Sequence, residues 1–320
     1  MNKDVLELIE IIGIDRLNLS VPEQNILVNE GIDLDSININ NGMITVPDRG
    51  KKDKKIFSII PSKLYGETNE KNVPIYKMNE VIEMIQEILT KNGIVFDVRY
   101  EYLTSFEVNA NINDKKLYDS IDVIAKANIF KNQTVFKAEN GEGIQSLKIP
   151  KNKYTGKVYK KSEHLQEQGY DVEQEHLVRF EISTGDWTQK ERLFGDDCSL
   201  NGLANNGDKV LEWFMVCIRE TIKKPVEKYL KQLENECVDK LNAGVKPSQV
   251  INELMFTNRL VDLTVFDNAM KRHYKDSGKK KPQTVIKSTH NRLKKLNEDR
   301  YNQVVGNVES LERFYQYIGI

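Results

Sequence analysis

Cysteine is scarce: Cys198, Cys217 and Cys237 are the only three in 320 residues, and none stands in a C-x-x-C spacing. An odd, scattered set excludes a disulfide scaffold or a zinc knuckle and fits a reducing cytoplasm. Long apolar runs are also missing. No stretch approaches about 18 uninterrupted apolar residues, so neither an ordinary transmembrane helix nor a membrane partner is expected. Val5 to Ile14 is apolar, but it carries Glu7 and Glu10 and lacks a basic flank and a small-residue cleavage site, so it does not read as a secretory signal. Familiar catalytic fingerprints are absent too. There is no G-x-x-x-x-G-K-[ST] loop, which argues against a P-loop helicase, and Gly141 and Gly143 make no G-x-G-x-x-G. Neither a G-x-S-x-G elbow nor an H-E-x-x-H zinc motif occurs.

Net charge is nearly absent as well, with 47 Lys and Arg against 48 Asp and Glu. Taken whole, that argues against a nucleic-acid partner. Its distribution argues the other way. Residues 1–47 hold two bases and eight acids, a local charge of −6. Residues 148–161 hold six lysines and no acid, and residues 246–295 hold twelve Lys and Arg against four acids. Concentrated positive charge is an electrostatic footprint for a polyanion even on a neutral chain. The bland reading of the same blocks is a solvated, lysine-rich surface.

At 320 residues the chain is long enough for two domains. The first 185 residues read as strands with two inserted helices. Alternation marks strands over 14–21, 37–46 with an Asn41-Gly42 turn, 55–60, 101–112, 134–138, 144–149, 155–161 and 176–184. Helical spacing marks Met78 to Leu89, with Asn79 as N-cap and Gly93 as stop, and Leu117 to Ala127. This predicts an α+β fold, an antiparallel or mixed sheet covered on one face by two helices. After Gly185 only helices are expected. A long one runs from Asp208 to Leu241, kinked or divided at Pro225, and shorter ones span 247–255, 260–275, 282–296 and 302–318. The domains are placed at 1–207, α+β, and 208–320, helical.

Strand periodicity then gathers the chemistry. Tyr102, Thr104, Phe106, Val108, Ala110 and Ile112 form a core-like face, leaving Ser105, Glu107, Asn109 and Asn111 opposite. Val178, Phe180 and Ile182 leave Arg179, Glu181 and Ser183 opposite; Lys157, Tyr159 and Lys161 share another face. If the strands are neighbours, one surface collects two carboxylates, a tyrosine and lysines. Carboxylates suit Mg²⁺ or Mn²⁺, lysines neutralise phosphate, and a tyrosine hydroxyl can serve as a covalent nucleophile. A solvated sheet face with ordinary cross-strand ion pairs is the competing reading.

Gly156-Lys-Val-Tyr159-Lys-Lys161-Ser-Glu163 followed by Leu177-Val-Arg179-Phe-Glu181-Ile resembles the "Y-D-K-x-x-E … R-[FIV]-E" strands of rolling-circle replication initiators of the filamentous-phage gene II type and related Gram-positive plasmid and phage proteins. Ile14 to Pro22, Ile60 to Gly66 and Phe106 to Asn109 are similar, in the same order, to the family's opening strand, its "P-K-L-x-G" segment and its central acidic strand. The resemblance spans roughly residues 14–240. It implies an HUH/Rep-like, metal-dependent endonuclease whose tyrosine nicks origin DNA, stays on the 5′ phosphate and frees a 3′ hydroxyl. It implies Tyr159 as first and Tyr154 as second candidate nucleophile, Lys161 at the phosphate, and Glu107 and Glu181 at Mg²⁺ or Mn²⁺. Lys157 and Arg179 are then DNA contacts. The implied partners are double- and single-stranded origin DNA, a second copy of the chain and a host replication helicase. The sequence departs from the pattern at Lys160, where Asp is typical. No His-hydrophobic-His pair exists among His164, His176, His273 and His290. The metal is then held mainly by carboxylates, with or without His164 or His176, or the chain is a DNA-binding regulator without nicking activity. A phage interaction protein without DNA affinity is the blandest class.

The second basic block carries Lys271, Arg272, Lys275, Lys279, Lys280 and Lys281, then Arg292, Lys294 and Lys295. Two helices joined by a lysine-rich turn suit phosphate contact in the manner of a helix-turn-helix.

Overall fold

The structure, a computed structural model, describes residues 12–47, 53–66, 70–137, 144–256, 263–278, 282–296, 312 and 315–316. Two compact units emerge: residues 1–113 with 148–218, and residues 114–147 with 219–318.

The first unit is built on an antiparallel sheet. Strand β1 (Ile12–Pro22) lies between β2 (Lys54–Ile59) and β3 (Tyr102–Asn113). Next to β3 comes β5 (Leu177–Thr184), and beyond it β4 (Thr155–Lys160), for the order β2-β1-β3-β5-β4. A short hairpin, Asn38–Ile39 with Ile44–Thr45, extends the β2 edge. Its turn places Asn40, Asn41 and Gly42 at φ 49, 53 and 82°, the left-handed conformations that an Asn-Gly hairpin turn demands. The sheet is antiparallel throughout these pairs, with helices inserted between its strands and more after the last, the α+β class that alternation predicts.

Along the chain the helices are α1 (Met78–Lys91), α2 (Lys115–Lys126), α3 (Lys161–Glu167), α4 (Trp187–Phe194), α5 (Leu200–Asn205), α6 (Gly207–Ile218), α7 (Lys224–Asn242), α8 (Pro247–Phe256), α9 (Leu263–Asp276) and α10 (Pro282–Leu296). In the first unit, Leu17, Leu19, Phe57, Phe106, Val108, Phe180 and Ile182 form one apolar sheet face. Phe106 packs against Phe194 of α4 and Trp213 of α6, with ring centroids 5.6 and 5.3 Å away. Each such side chain contributes about 1.5–3 kcal/mol on burial, so this face fixes which side of the sheet is left for chemistry. Helix α1 buries Val81, Ile82, Ile85 and Leu89, as its spacing requires, and Gly93 ends it at φ 73°. Asn79 is not its cap. A 3₁₀ turn, Ile75–Lys77, feeds the helix from Met78, so Asn79 lies in the first turn and accepts a hydrogen bond from Arg99 at 2.9 Å.

The periodic stretch expected over 208–241 is α6, a five-residue π turn at Arg219–Lys223, then α7 with Pro225 in its first turn. Proline has no N–H for the helical ladder, and the wider turn just before it absorbs the break. In the second unit Leu233, Leu241, Ile251, Phe266, Met270 and Leu293, from α7 to α10, make a separate core. Thr134–Lys137 pairs with Ile144–Pro150. The helix expected over 302–318 lies almost wholly outside the described residues. Among the described residues, no helix is long and apolar enough to cross a membrane.

All three cysteines are buried, and burial pushes the Cys237 thiol up to about 11. Thiolate is the reactive form. Native protein is therefore expected to react with Ellman's reagent at least tenfold more slowly than urea-unfolded protein, which should titrate as three thiols.

Candidate metal centre

The polar face of the sheet is assembled by register. Lys157 lies opposite Glu181 and Tyr159 opposite Arg179 in the β4–β5 ladder. Across the β5–β3 ladder, Glu181 faces Asn109 and Ser183 faces Glu107. Side chains two apart on one strand share a face, so this ladder brings Glu107, Glu181, Lys157 and Tyr159 together.

A β-bulge supplies a third carboxylate. Ile14 pairs with Val108 and Arg16 with Glu107, leaving Asp15 as the extra residue. A bulge re-aims its side chain. Here it buries Asp15 on the polar face, where carboxylate oxygens of Asp15, Glu107 and Glu181 lie within 4.8 Å of one another. Sequence reasoning missed Asp15, although a signal existed. The core positions run Ile12, Ile14, then Leu17, Leu19, and that slip in a period of two marks a bulge between them.

Three neighbouring carboxylates repel, and the surrounding cations answer them. Lys157 Nζ is 3.2 Å from Glu181 and 3.5 Å from Glu107. Arg179, fully buried, donates to Asp15 Oδ1 at 2.6 Å and to Asn111 Oδ1 at 2.7 Å. Burial pushes the Asp15 carboxyl up, but Arg179, with Lys161, Arg16 and Lys157, more than reverses this and leaves it below its usual range. Glu107 goes the other way: burial and the Glu181 charge raise it, Lys157 and Arg16 only partly opposing. One oxygen of Glu181 faces Lys157; the other, Oε1, accepts a hydrogen bond from the Tyr159 hydroxyl. Burial, then the Glu181 charge, raises the Tyr159 phenol well above its ordinary value, so it stays protonated and donates.

The donor set fits a hard divalent cation. Such ions take oxygen ligands, and three carboxylates converge. The Lys157 ammonium already stands in for positive charge between Glu107 and Glu181. Asn109, in the same row and buried, has a side-chain oxygen without a hydrogen-bond partner. Among the described residues no histidine joins this cluster. His164 sits edge-on to the Tyr159 ring at 5.9 Å and its imidazole is held down by burial, then by Lys161.

Lys161 is not on the strand face with Lys157 and Tyr159. The strand ends at Lys160, and Lys161 opens α3. Its ammonium is nevertheless buried, 5.8 Å from the Tyr159 ring centroid. Burial, then Arg179, lowers it to about 7, with Asp15 and Glu181 opposing. Arg179, expected at DNA, is instead sequestered under the site, where it positions Asp15. Tyr154 packs edge-on against Trp213 at 6.4 Å and lines an open groove with Glu107, Lys151 and Ser183.

In the second unit, Lys271, Lys275, Arg292, Lys294 and Lys295 are exposed on α9 and α10. Arg272 is tied to Glu234 at 3.5 Å and to Asn235 at 2.8 Å. Gly278, at φ 66°, closes the turn after α9, and Lys279, Lys280 and Lys281 lie outside the described residues.

An antiparallel sheet that presents two buried carboxylates and a half-buried third, with a tyrosine hydroxyl bonded to one of them, defines an α+β protein with an acidic site able to hold a metal. No protein-family model matches the chain, and no curated protein does. Among solved structures it matches a rolling circle replication initiator protein from Geobacillus stearothermophilus, over 66% of this chain and 84% of that chain, at 14% identity and a TM-score of 0.34.

Proposed function

We propose that the chain initiates rolling-circle replication as a metal-dependent tyrosine endonuclease, with nicking assigned to residues 1–207 and DNA recognition or assembly to 208–320. The observation that carries this reading is the Tyr159 hydroxyl bonded to Glu181 within the Asp15–Glu107–Glu181 cluster. It is supported by the ordered motifs on which Tyr159, Lys161, Arg179 and Glu181 fall.

A bound Mg²⁺ or Mn²⁺ would be held by Asp15, Glu107 and Glu181 and would polarise the scissile phosphate. The chain's own residues supply the rest. Tyr159 passes its proton to Glu181 as its oxygen bonds to phosphorus; the bond from phosphorus to the 3′ oxygen breaks, and that oxygen leaves as a hydroxyl after taking a proton from solvent. Lys157, and Lys161 when protonated, favour the negative charge that gathers on the phosphate. Arg179 keeps Asp15 ionised and in place. The test is incubation with supercoiled origin DNA and Mn²⁺: a nicked, protein-linked product is expected, lost on chelation. No adduct on a true cognate origin overturns the reading.

Exposed lysines and arginines on α9 and α10 favour a second DNA-binding surface. Neutralising Lys271, Lys275, Arg292, Lys294 and Lys295 together is expected to weaken duplex binding. It should also reduce the slope of log K against log salt by about one unit for each phosphate no longer neutralised. Specific binding that survives without metal-dependent cleavage would instead favour the regulator class.

A further inference from the structure

We infer that Tyr102 and Trp187 form a stacking ledge for bases of single-stranded DNA, beside the groove that leads to the carboxylate site. The inference rests on the polynucleotide reading of that site and names the strand it takes.

A second bulge makes the ledge. The β1–β3 register shifts between Asn18, paired with Ser105, and Leu19, paired with Leu103, so Thr104 is the extra residue. Leu103 and Phe106 both stay in the core. Tyr102 is thereby turned off the apolar face on which strict alternation places it, and onto the face of Ser105 and Glu107. There it stacks on Trp187 of α4, with centroids 6.0 Å apart and planes 25° from parallel. Both rings are open to solvent, Tyr102 at 38% and Trp187 at 50% exposure. Two exposed, stacked aromatics are an unusual use of apolar surface unless something covers them.

The ledge is rigidly held. Lys190, one helical turn beyond Trp187, is 1% exposed, a costly place for an ammonium. All three of its donors are used here: Nζ bonds the Tyr102 hydroxyl at 2.8 Å and the Leu103 and Thr104 carbonyls at 2.8 and 2.9 Å. It also lies 4.4 Å from the Tyr102 ring centroid. The buried charge thus clamps the bulge and the ring together.

The adjoining groove is lined by Ser105, Glu107, Lys151, Lys153, Tyr154 and Asp186, the last preceding Trp187. Lys151 and Lys153 are exposed and belong to the acid-free lysine stretch. Asp186 is engaged as the cap of α4, accepting from Thr188 at 2.6 Å and Gln189 at 3.0 Å. Lysines for the backbone and open rings for the bases are the pairing that single strands require, whereas the bases of a duplex are already stacked.

The test uses full-length protein in low salt without divalent metal, so cleavage is not read. Binding of a labelled ten-nucleotide oligothymidylate is followed by anisotropy, and tryptophan emission is followed in the unlabelled titration. Saturable quenching is expected. Trp187→Ala is expected to weaken binding about tenfold and Trp187→Phe by less than threefold, with unchanged circular dichroism. Equal binding by Trp187→Ala, or quenching by blunt duplex as strong as by oligothymidylate, overturns the ledge. Nicking with an undiminished Trp187→Ala affinity refutes the ledge alone; quenching without any origin adduct refutes the endonuclease and leaves the ledge standing.

Discussion

Replacing Tyr159 with phenylalanine is expected to lower the rate of adduct formation on origin DNA by about 10³-fold or more, the usual cost of deleting a covalent nucleophile. Stability should change only modestly, because the ring stays, Lys157 still holds the Glu181 carboxylate, and Arg179, which also hydrogen-bonds the hydroxyl, keeps Asp15 and Asn111. Tyr154→Phe should retain adduct formation within about threefold, since its ring keeps its packing on Trp213 and the Tyr159 hydroxyl is the one bonded to Glu181. Glu181→Gln removes both the proton acceptor and a cation ligand, and is expected to be as damaging as Tyr159→Phe. Adduct yields measured on denaturing gels separate the two tyrosines; an undiminished yield in Tyr159→Phe would refute the assignment.

Arg179→Met is expected to destabilise the protein by about 3–5 kcal/mol, because it strands the buried Asp15 carboxylate. Arg179 keeps Asp15 below its ordinary value against burial, so the pair's stabilisation is present above the unfolded value and is lost as pH falls through the folded one. Without Arg179, burial acts with less opposition and favours protonated Asp15. The deficit of the variant should therefore shrink as pH is lowered from 7 towards 4. Urea midpoints at the two pH values measure it. Combining Asp15→Leu with Arg179→Met should recover most of the loss, since a paired apolar replacement leaves no orphan charge. It should also abolish any thermal shift produced by Mn²⁺.

Much of the site was legible one strand at a time. Alternation in Glu101 to Ile112 and Glu175 to Thr184 separated Glu107, Arg179 and Glu181 from the core, and the ladders bear out the grouping of Glu107, Glu181, Lys157 and Tyr159. What alternation handled badly was the bulge. A residue inserted at Asp15 and another at Thr104 each reverse the faces of a strand part-way along it. Assuming an unbroken period of two therefore hid a carboxylate and consigned Tyr102 to the core. Both slips leave a trace, Ile14 to Leu17 and Leu103 to Phe106, where core residues stand three apart instead of two. Lys161 was misread for a related reason: the strand ends and a helix begins in mid-motif, which a short polar segment does not announce.

The sequence by itself determined the α+β class, the order of the strands along the chain, the helical second half and the uneven charge, because period, turn residues and charge are local properties. Only the tertiary structure decided that β3 lies between β1 and β5, since strand neighbours are chosen by long-range packing of the apolar face. That choice makes three carboxylates from distant segments share one space, and turns Arg179 from a surface cation into a buried support. Proximity of like charges cannot be read along a chain; it exists only once the sheet has closed around them.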